Sequence, residues 1–197
     1  MDPDTMRDMW DGRYRERGAV WGGEPNRFVV EVATDIEPGT ALDLGCGQGR
    51  NALWLASLGF DVTGLDLSPV AVEQAGAGAE DRGVDATFGA ATLVEGDPDG
   101  RGGDRVLLAY IHLPGELRKR GLATAGGAVA PGGRVIVIAH HLDNLGSGTG
   151  GPPNPDWLFT EAQLAGDFSS LDIVRNERVV RPTENGDALD VVCVAVN

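Results

Sequence analysis

The sequence predicts the α/β class, as a doubly wound, mostly parallel seven-stranded sheet that ends in an antiparallel hairpin. Residues 40–69, TALDLGCGQGRNALWLASLGFDVTGLDLSP, read strand, glycine loop, helix, strand and terminal acid, which is half of a doubly wound nucleotide site. Three more short apolar runs, 84–88, 104–109 and 134–139, are separated by segments with helical signals. Two runs of alternating apolar residues, 171–180 and 188–196, are joined by the turn signal Asn185-Gly186. A chain of 197 residues suits one domain of this kind, and no internal repeat or second domain is visible.

In chain order, residues 1–18 are polar, with Met6, Met9, Trp10 and Tyr14 at helical spacing, so they read as an amphipathic helix laid over something apolar. Residues 25–36 read as a second helix, with Phe28, Val29, Val32 and Ile36 on one side. Ala41 to Leu44 is a buried strand that stops at Gly45, Gly47 and Gly49; Asn51, Leu53, Trp54, Leu55 and Leu58 then follow at helical spacing. Glycines at alternate positions permit a tight turn and bring bare backbone N–H groups against a ligand. The helix that begins there offers unpaired donors and a partial positive charge to carboxylate or phosphate oxygens. The second strand, 60–65, ends on Asp66, whose carboxylate can accept from both hydroxyls of a ribose and so selects a nucleoside.

Ser68 and Pro69 start the next helix, as N-cap and first-turn proline, and it runs to about residue 79. Strand 84–88 follows. Strand 104–109 carries Tyr110-Ile111-His112-Leu113-Pro114 at its tip, and helix 114–129 displays Arg118, Lys119 and Arg120 on a solvated side. Ala130-Pro131-Gly132-Gly133 is a turn into strand 134–139, whose tip holds His140, His141, Asp143 and Asn144. Residues 146–155 are rich in glycine and proline and too poor in apolar groups to pack alone; a loop of that length beside the site, within 140–159, is a candidate lid. Thr160 with Gln163 reads as a capping box that starts a short helix.

The net charge is −14, from 30 acids against 16 bases. That argues against nucleic acid as a partner and against anionic lipid surfaces, and leaves a small-molecule substrate as the expectation. No cationic start with an apolar core and no run of membrane-spanning length is present, so the expected location is the cytoplasm, as a monomer or homodimer. The two cysteines, Cys46 in the glycine loop and Cys193 in the last strand, give no framework of bridges. Cys46 at a helix start is either a reactive thiol or a small residue filling a tight loop.

The dinucleotide pattern G-x-G-x-x-G counted from Gly45 requires glycine where the chain has Arg50, which argues against a nicotinamide dehydrogenase. The chain reads Asp43-x-Gly45-x-Gly47-x-Gly49 instead. That pattern resembles the first motif of the class I S-adenosylmethionine-dependent methyltransferases. Trp10, Tyr14 and Trp21-Gly22 ahead of it are similar to small bacterial members, of which the tellurite-resistance and thiopurine types are the better known. So are Ala130-Pro131-Gly132-Gly133 and His140 to Asn144 with Gly150-Gly151-Pro152. The resemblance covers the chain from Trp10 onward and is specific for cofactor and fold, not for substrate. It implies a Rossmann-like sheet closed by the C-terminal antiparallel pair, S-adenosyl-L-methionine as cofactor and S-adenosyl-L-homocysteine as product. It also implies an N-terminal helical cap over 1–36 that closes on cofactor and substrate.

On these readings the cofactor contacts are Asp43, Gly45, Cys46, Gly47, Arg50, Asn51, Asp66, Leu67, Thr92 and Ala109, and Trp10, Trp21 and Tyr110 line the substrate pocket. Aromatic packing on the sheet edge is the alternative for Trp10, Tyr14 and Trp21. Arg50 and Asn51, with Arg13 behind them, are candidates for the cofactor carboxylate. The relatives usually carry an acid just past the third strand for the adenine amino group; here the chain reads Gly89-Ala90-Ala91-Thr92, so Thr92, Glu95 or Asp97 would have to serve.

Methyl transfer from a sulfonium needs donor and acceptor held in line, water excluded and any acceptor proton removed. His112, His140 and His141, with Tyr14, are the candidate catalytic groups, since histidines at strand tips can act as base or orient an acceptor. A metal held by His140, His141 and Asp143 is disfavoured, because successive strand residues point apart, so no metal is expected. The alternatives to methyl transfer are another reaction on the same cofactor, such as a rearrangement or cyclisation, and a non-catalytic nucleoside-binding module.

Overall fold

A strand covered on both faces reads as a continuous apolar run, and β1 (Thr40–Leu44), β4 (Gly103–Ala109) and β5 (Val129–His140) accordingly occupy the middle of one sheet. The computed structural model describes residues 2–18, 20–34, 37–93 and 102–197. With β2 (Asp61–Asp66), β3 (Ala86–Ala90), β6 (Asp172–Thr183) and β7 (Gly186–Val196), the seven-stranded order is β3-β2-β1-β4-β5-β7-β6. Strands β1 to β5 pair in parallel, and β7 runs antiparallel between β5 and β6. The doubly wound sheet and its closing hairpin are therefore as the sequence predicts.

The helices are α1 (Pro3–Glu16), α2 (Arg27–Ala33), α3 (Arg50–Ser57), α4 (Pro69–Arg82), α5 (Gly115–Gly127), α6 (Asn144–Ser147) and α7 (Glu161–Asp167). Side chains alternate across the strands. Leu42, Leu44, Val106, Leu108, Val135 and Val137 pack with Leu122 of α5 and Leu164 of α7. On the other face Leu107, Ile136 and Ile138 meet Phe28 and Val29 of α2, and Ala41 and Val62 meet Ala52 and Leu55 of α3. Each large apolar side chain buried in this way contributes about 1.5–3 kcal/mol.

Some boundaries differ from the sequence reading, each for a local reason. Helix α4 runs on to Arg82 and is closed by Gly83 at φ +62, so β3 starts at Ala86. Strand β5 begins before the Pro131 turn, because Val129 pairs with Gly103, and the register then shifts so that Arg134 meets Arg105. The turn is thus a bulge inside the strand, clasped by Asn197, whose carbonyl accepts from the Gly132 N–H at 2.8 Å. Asn26 caps α2, its side chain accepting from the Phe28 N–H, and Ile36, expected on that helix, lies outside the described residues. The expected Thr160–Gln163 capping box is present. No helix among the described residues is long and apolar enough to cross a membrane.

Candidate active site

Strand order grows in both directions from β1, to β2 on one side and β4 on the other, and such a switch point opens a crevice beyond the carboxyl ends of the strands. The glycine loop leaves β1 there. Gly45 and Gly47 adopt φ +73 and +56, a region that excludes most side chains. A Cβ on Gly47 would stand 2.9 Å from the Tyr14 hydroxyl, and one on Gly45 would overlap Ile111.

The loop amides are not bare, which corrects the first expectation. Gly45 and Cys46 both donate to the Leu65 carbonyl (2.7 and 3.0 Å), and Gly47 donates to Asp66 Oδ2 at 2.8 Å. The parallel β1–β2 pairing draws the loop back over the end of β2 and satisfies its donors there. The glycines contribute close approach, and polar recognition falls to the carboxylates.

Asp66 Oδ1 accepts from the Ser68 N–H at 2.9 Å, so each oxygen is anchored once and keeps a second acceptor site. Burial raises its carboxyl above the ordinary range, against the pull of the Ser68 and Gly47 N–H bonds. Asp43 is 1 % exposed and its Oδ2 has no partner. Burial, with Asp66 nearby, pushes its carboxyl up to about 7, although Arg50 and the Ala52 N–H in the uncapped first turn of α3 oppose this. A buried carboxylate oxygen without a partner fits a cationic ligand group. Thr92 Oγ1 is likewise buried and unpartnered; Glu95 and Asp97 lie outside the described residues. Leu67 and Ala109 are half-buried at the tips of β2 and β4.

Three expected cofactor side chains are engaged elsewhere. The Cys46 thiol points into the sheet, 3.0 Å from where a Cβ on Gly64 would stand, and burial, then Asp43 and Asp66, pushes it well above its ordinary pKa. It is a filler rather than a reactive thiol. Asn51 Oδ1 accepts from the Asn26 N–H at 2.9 Å, and Arg50 Nη1 donates to the Trp21 carbonyl at 3.1 Å. Both pin the N-terminal segment onto α3. More bonds do the same: Gln48 joins the Val20 N–H and the Gly18 carbonyl, Gln74 reaches the Tyr14 carbonyl, and Ser68 Oγ donates to the buried Asp11. Tyr14, 4 % exposed, stands over Gly47 and stacks on Trp10 at 5.7 Å; burial raises its phenol so that it stays protonated. The Arg13 guanidinium lies over both the Trp10 and Trp21 rings, 5.2 and 5.0 Å from their centroids. Trp21 is 46 % exposed.

At the tips of β4 and β5 the structure brings together Tyr110, His112 and His140 and leaves His141 out. Alternation at the end of β5 sends His141 to the opposite face, where Nε2 meets Glu161 Oε2 at 2.8 Å and Nδ1 accepts from the Asp143 N–H. Both ring nitrogens are used, so His141 braces α7 rather than joining the other two histidines. The disfavoured metal trio is split in the same way, and Asp143 pairs with Arg178.

Three residues absent from the sequence reading complete the tip. Asp190 of β7, fully buried, accepts from the Tyr110 hydroxyl at 2.6 Å and from Arg181 Nε at 2.7 Å, and its Oδ1 lies 3.0 Å from His140 Nδ1. Asn26 Nδ2 donates to the Tyr110 hydroxyl at 3.3 Å. Burial alone would raise the Asp190 carboxyl, but His140, Arg181 and Tyr110 together hold it below the ordinary value. Tyr110 takes φ +60, a strained conformation for a non-glycine residue that persists where its surroundings over-determine it. The signal for Asp190 was available as a lone acid inside the apolar run of β7. Arg181 and Asn26 gave none.

A family model for a methyltransferase domain matches residues 41–133. Residues 41–133 carry a methyltransferase domain, and the relatives matched support the class I S-adenosylmethionine-dependent type. It is 32% identical over 147 residues to 2-heptyl-1-hydroxyquinolin-4(1H)-one methyltransferase from Mycobacteroides abscessus, over 68% of this chain and 65% of that one. A probable S-adenosyl-L-methionine-dependent methyltransferase TehB of Haemophilus influenzae matches at 60% over 38 residues, 19% of this chain and 13% of that one. The chain thus spans less than two thirds of the length of these relatives. Among solved structures, magnesium protoporphyrin IX methyltransferase from Synechocystis, with S-adenosylhomocysteine bound, shares the fold at a TM-score of 0.75 and 19% identity, over 100% of both chains. The cofactor of this methyltransferase family is S-adenosylmethionine, and the residues present fit it: a spare acceptor pair on Asp66 for a ribose, and the orphaned Asp43 oxygen for an ammonium.

Proposed function

We propose that this chain transfers a methyl group from S-adenosylmethionine to a small-molecule acceptor at the β4 and β5 tips, in the cytoplasm, as a monomer or homodimer without nucleic acid or membrane partners. The observation that carries the reading is the pair of buried carboxylates, Asp43 and Asp66, flanking a glycine loop at the switch point. The net charge of −14 and the small-molecule substrate named for the Mycobacteroides relative support a small acceptor.

In this reading Asp66 holds the ribose, Asp43 the amino group and Thr92 the adenine, while Arg50, tied to the Trp21 carbonyl, holds the cap. The bound cofactor supplies an electrophilic methyl group. Residues 1–36 act as a cap tied down through Gln48, Gln74 and Arg50. The segment within 140–159 acts as the lid: Gly151 lies against the His140 ring, and the Trp157 carbonyl accepts from His112 at 2.8 Å. Tyr14, Trp10 and Trp21 form the roof, and Tyr110, His112 and His140 face the acceptor.

Counting S-adenosylhomocysteine against product across an acceptor panel tests this. Methyl transfer yields one per methylated product. Product without it means a different reaction on the same cofactor, and cofactor binding without turnover of any acceptor means a binding module. Replacing His112 by alanine is expected to lower turnover at least tenfold with an unchanged cofactor Kd; unchanged turnover with a proton-bearing acceptor would remove it from the mechanism.

Asp43 gives a pH signature. Its folded pKa of about 7 lies above the ordinary 3.8, so ionising it costs the free protein stability as pH rises from about 4 through 7. A bound ammonium reverses that cost. S-adenosylhomocysteine binding should therefore weaken up to about tenfold for each pH unit below 7, as calorimetry across pH would show. Asp43→Asn should flatten this profile, weaken binding, and raise the melting temperature of the free protein at pH 8 by about 4–8 °C if some 2 kcal/mol is recovered. A profile that stays steep in the variant contradicts the assignment.

A further inference from the structure

The acceptor side of the crevice is walled by rings. The Tyr110 and His140 centroids are 5.1 Å apart, His112 and His140 lie 5.3 Å apart with planes at 20°, and Phe159 meets His112 edge-on at 5.8 Å. These are the separations of packed aromatic pairs, and a wall of this kind favours a flat ligand.

His112 carries an unpaired polar atom in that wall, on a ring whose tautomer is fixed. His112 Nδ1 lies 2.8 Å from the Trp157 carbonyl, an oxygen that can only accept, so Nδ1 carries the hydrogen. Nε2 is then an unprotonated acceptor, and it is buried with no partner. Such a group is destabilising until something donates to it. A ligand bearing O–H or N–H recovers that cost. An anion does not, because its lone pairs would face the lone pair of Nε2.

The geometry points to an acceptor that is a hydroxyl or ring N–H on a flat aromatic or heteroaromatic compound, bound with that hydrogen donated to His112 Nε2. This rests on the methyl-transfer reading, and it separates the site from one made for a soft, already ionised nucleophile. It also changes the role of His112. Burial, with His140 alongside, holds the imidazole at about 4 against the Trp157 bond and the Asp190 charge, too weak a base to ionise a free phenol. As the new C–O or C–N bond forms, the C–S bond breaks with its electron pair passing to sulfur. The X–H proton turns strongly acidic in the same step, passes to Nε2 and leaves to water when the site opens. A weak base suffices because it receives the proton late.

The test is calorimetry on the full chain saturated with S-adenosylhomocysteine, using 1-naphthol, its methyl ether 1-methoxynaphthalene, and 1-naphthalenethiol ionised at pH 8. Naphthol is expected to bind at least tenfold tighter than either. His112→Phe, which keeps a ring but removes the acceptor nitrogen, should abolish that preference with the S-adenosylhomocysteine Kd held within twofold. Equal binding of naphthol and its ether, a preference for the thiolate, or binding of none of the three overturns the proposal while leaving the cofactor reading intact. Retention of the preference in His112→Phe does the same. Failure of S-adenosylhomocysteine itself to bind would instead strike the methyl-transfer reading. The preference is measured on the unaltered protein, so it holds as a test even if the variant does not fold.

Discussion

Replacing Asp66 by asparagine should weaken S-adenosylhomocysteine binding by a hundredfold or more. The carboxylate is 9 % exposed and fixed at both oxygens by the Gly47 and Ser68 N–H groups, so its remaining acceptor sites are aimed before any ligand arrives. Two hydrogen bonds to a charged acceptor are worth about 1.5–3 kcal/mol each, and 1.4 kcal/mol is a factor of ten. Asparagine keeps the shape but offers one acceptor oxygen where two are in use, and turns an N–H toward one of the backbone donors. Calorimetry paired with thermal melting separates lost recognition from a collapsed loop. A change in Kd below threefold at an unchanged melting temperature would mean that Asp66 does not touch the ribose.

The second large effect lies across the crevice. Asp190→Ala should cost about 3–5 kcal/mol, because it strands Arg181, the Tyr110 hydroxyl and His140 Nδ1 around a buried hole. For a chain of this size that lowers the melting temperature by about 6–20 °C. The stabilisation has a pH sign: the folded Asp190 carboxyl is held below its ordinary value, so the contribution is present above about pH 4 and is lost as pH falls further. Asp190→Asn keeps one acceptor and should lose less. The double variant Asp190→Ala with Arg181→Ala should be less damaged than the sum of the singles, since removing both partners leaves no buried charge alone. Strict additivity would mean that the pair is not coupled.

The contrast between these two residues shows what the sequence can carry. Asp66 and the glycine loop are close along the chain, in an order fixed by the strand–loop–helix–strand unit, so local spacing reveals them. The Tyr110 cluster is assembled from Asn26, Tyr110, Arg181 and Asp190, which only the closed sheet makes neighbours. Positions 110 and 140 could be placed at strand tips, but the partners that set their chemistry could not. The same limit explains His141. Its neighbour His140 shares its residue type and ends the same strand, and alternation of faces at that end sends one to Asp190 and the other to Glu161. The state of the loop amides is not legible in the sequence because their acceptors, the Leu65 carbonyl and Asp66, belong to the neighbouring strand, where pairing geometry decides which donors stay free.

The most direct measurement is a crystal structure of the protein grown with saturating S-adenosylhomocysteine. The ribose hydroxyls should lie within hydrogen-bond reach of Asp66, the ammonium at Asp43 Oδ2, and the sulfur turned toward the tip that carries Tyr110 and His112. A nucleoside bound away from both carboxylates, or no nucleoside in the β1–β4 crevice, would contradict the account.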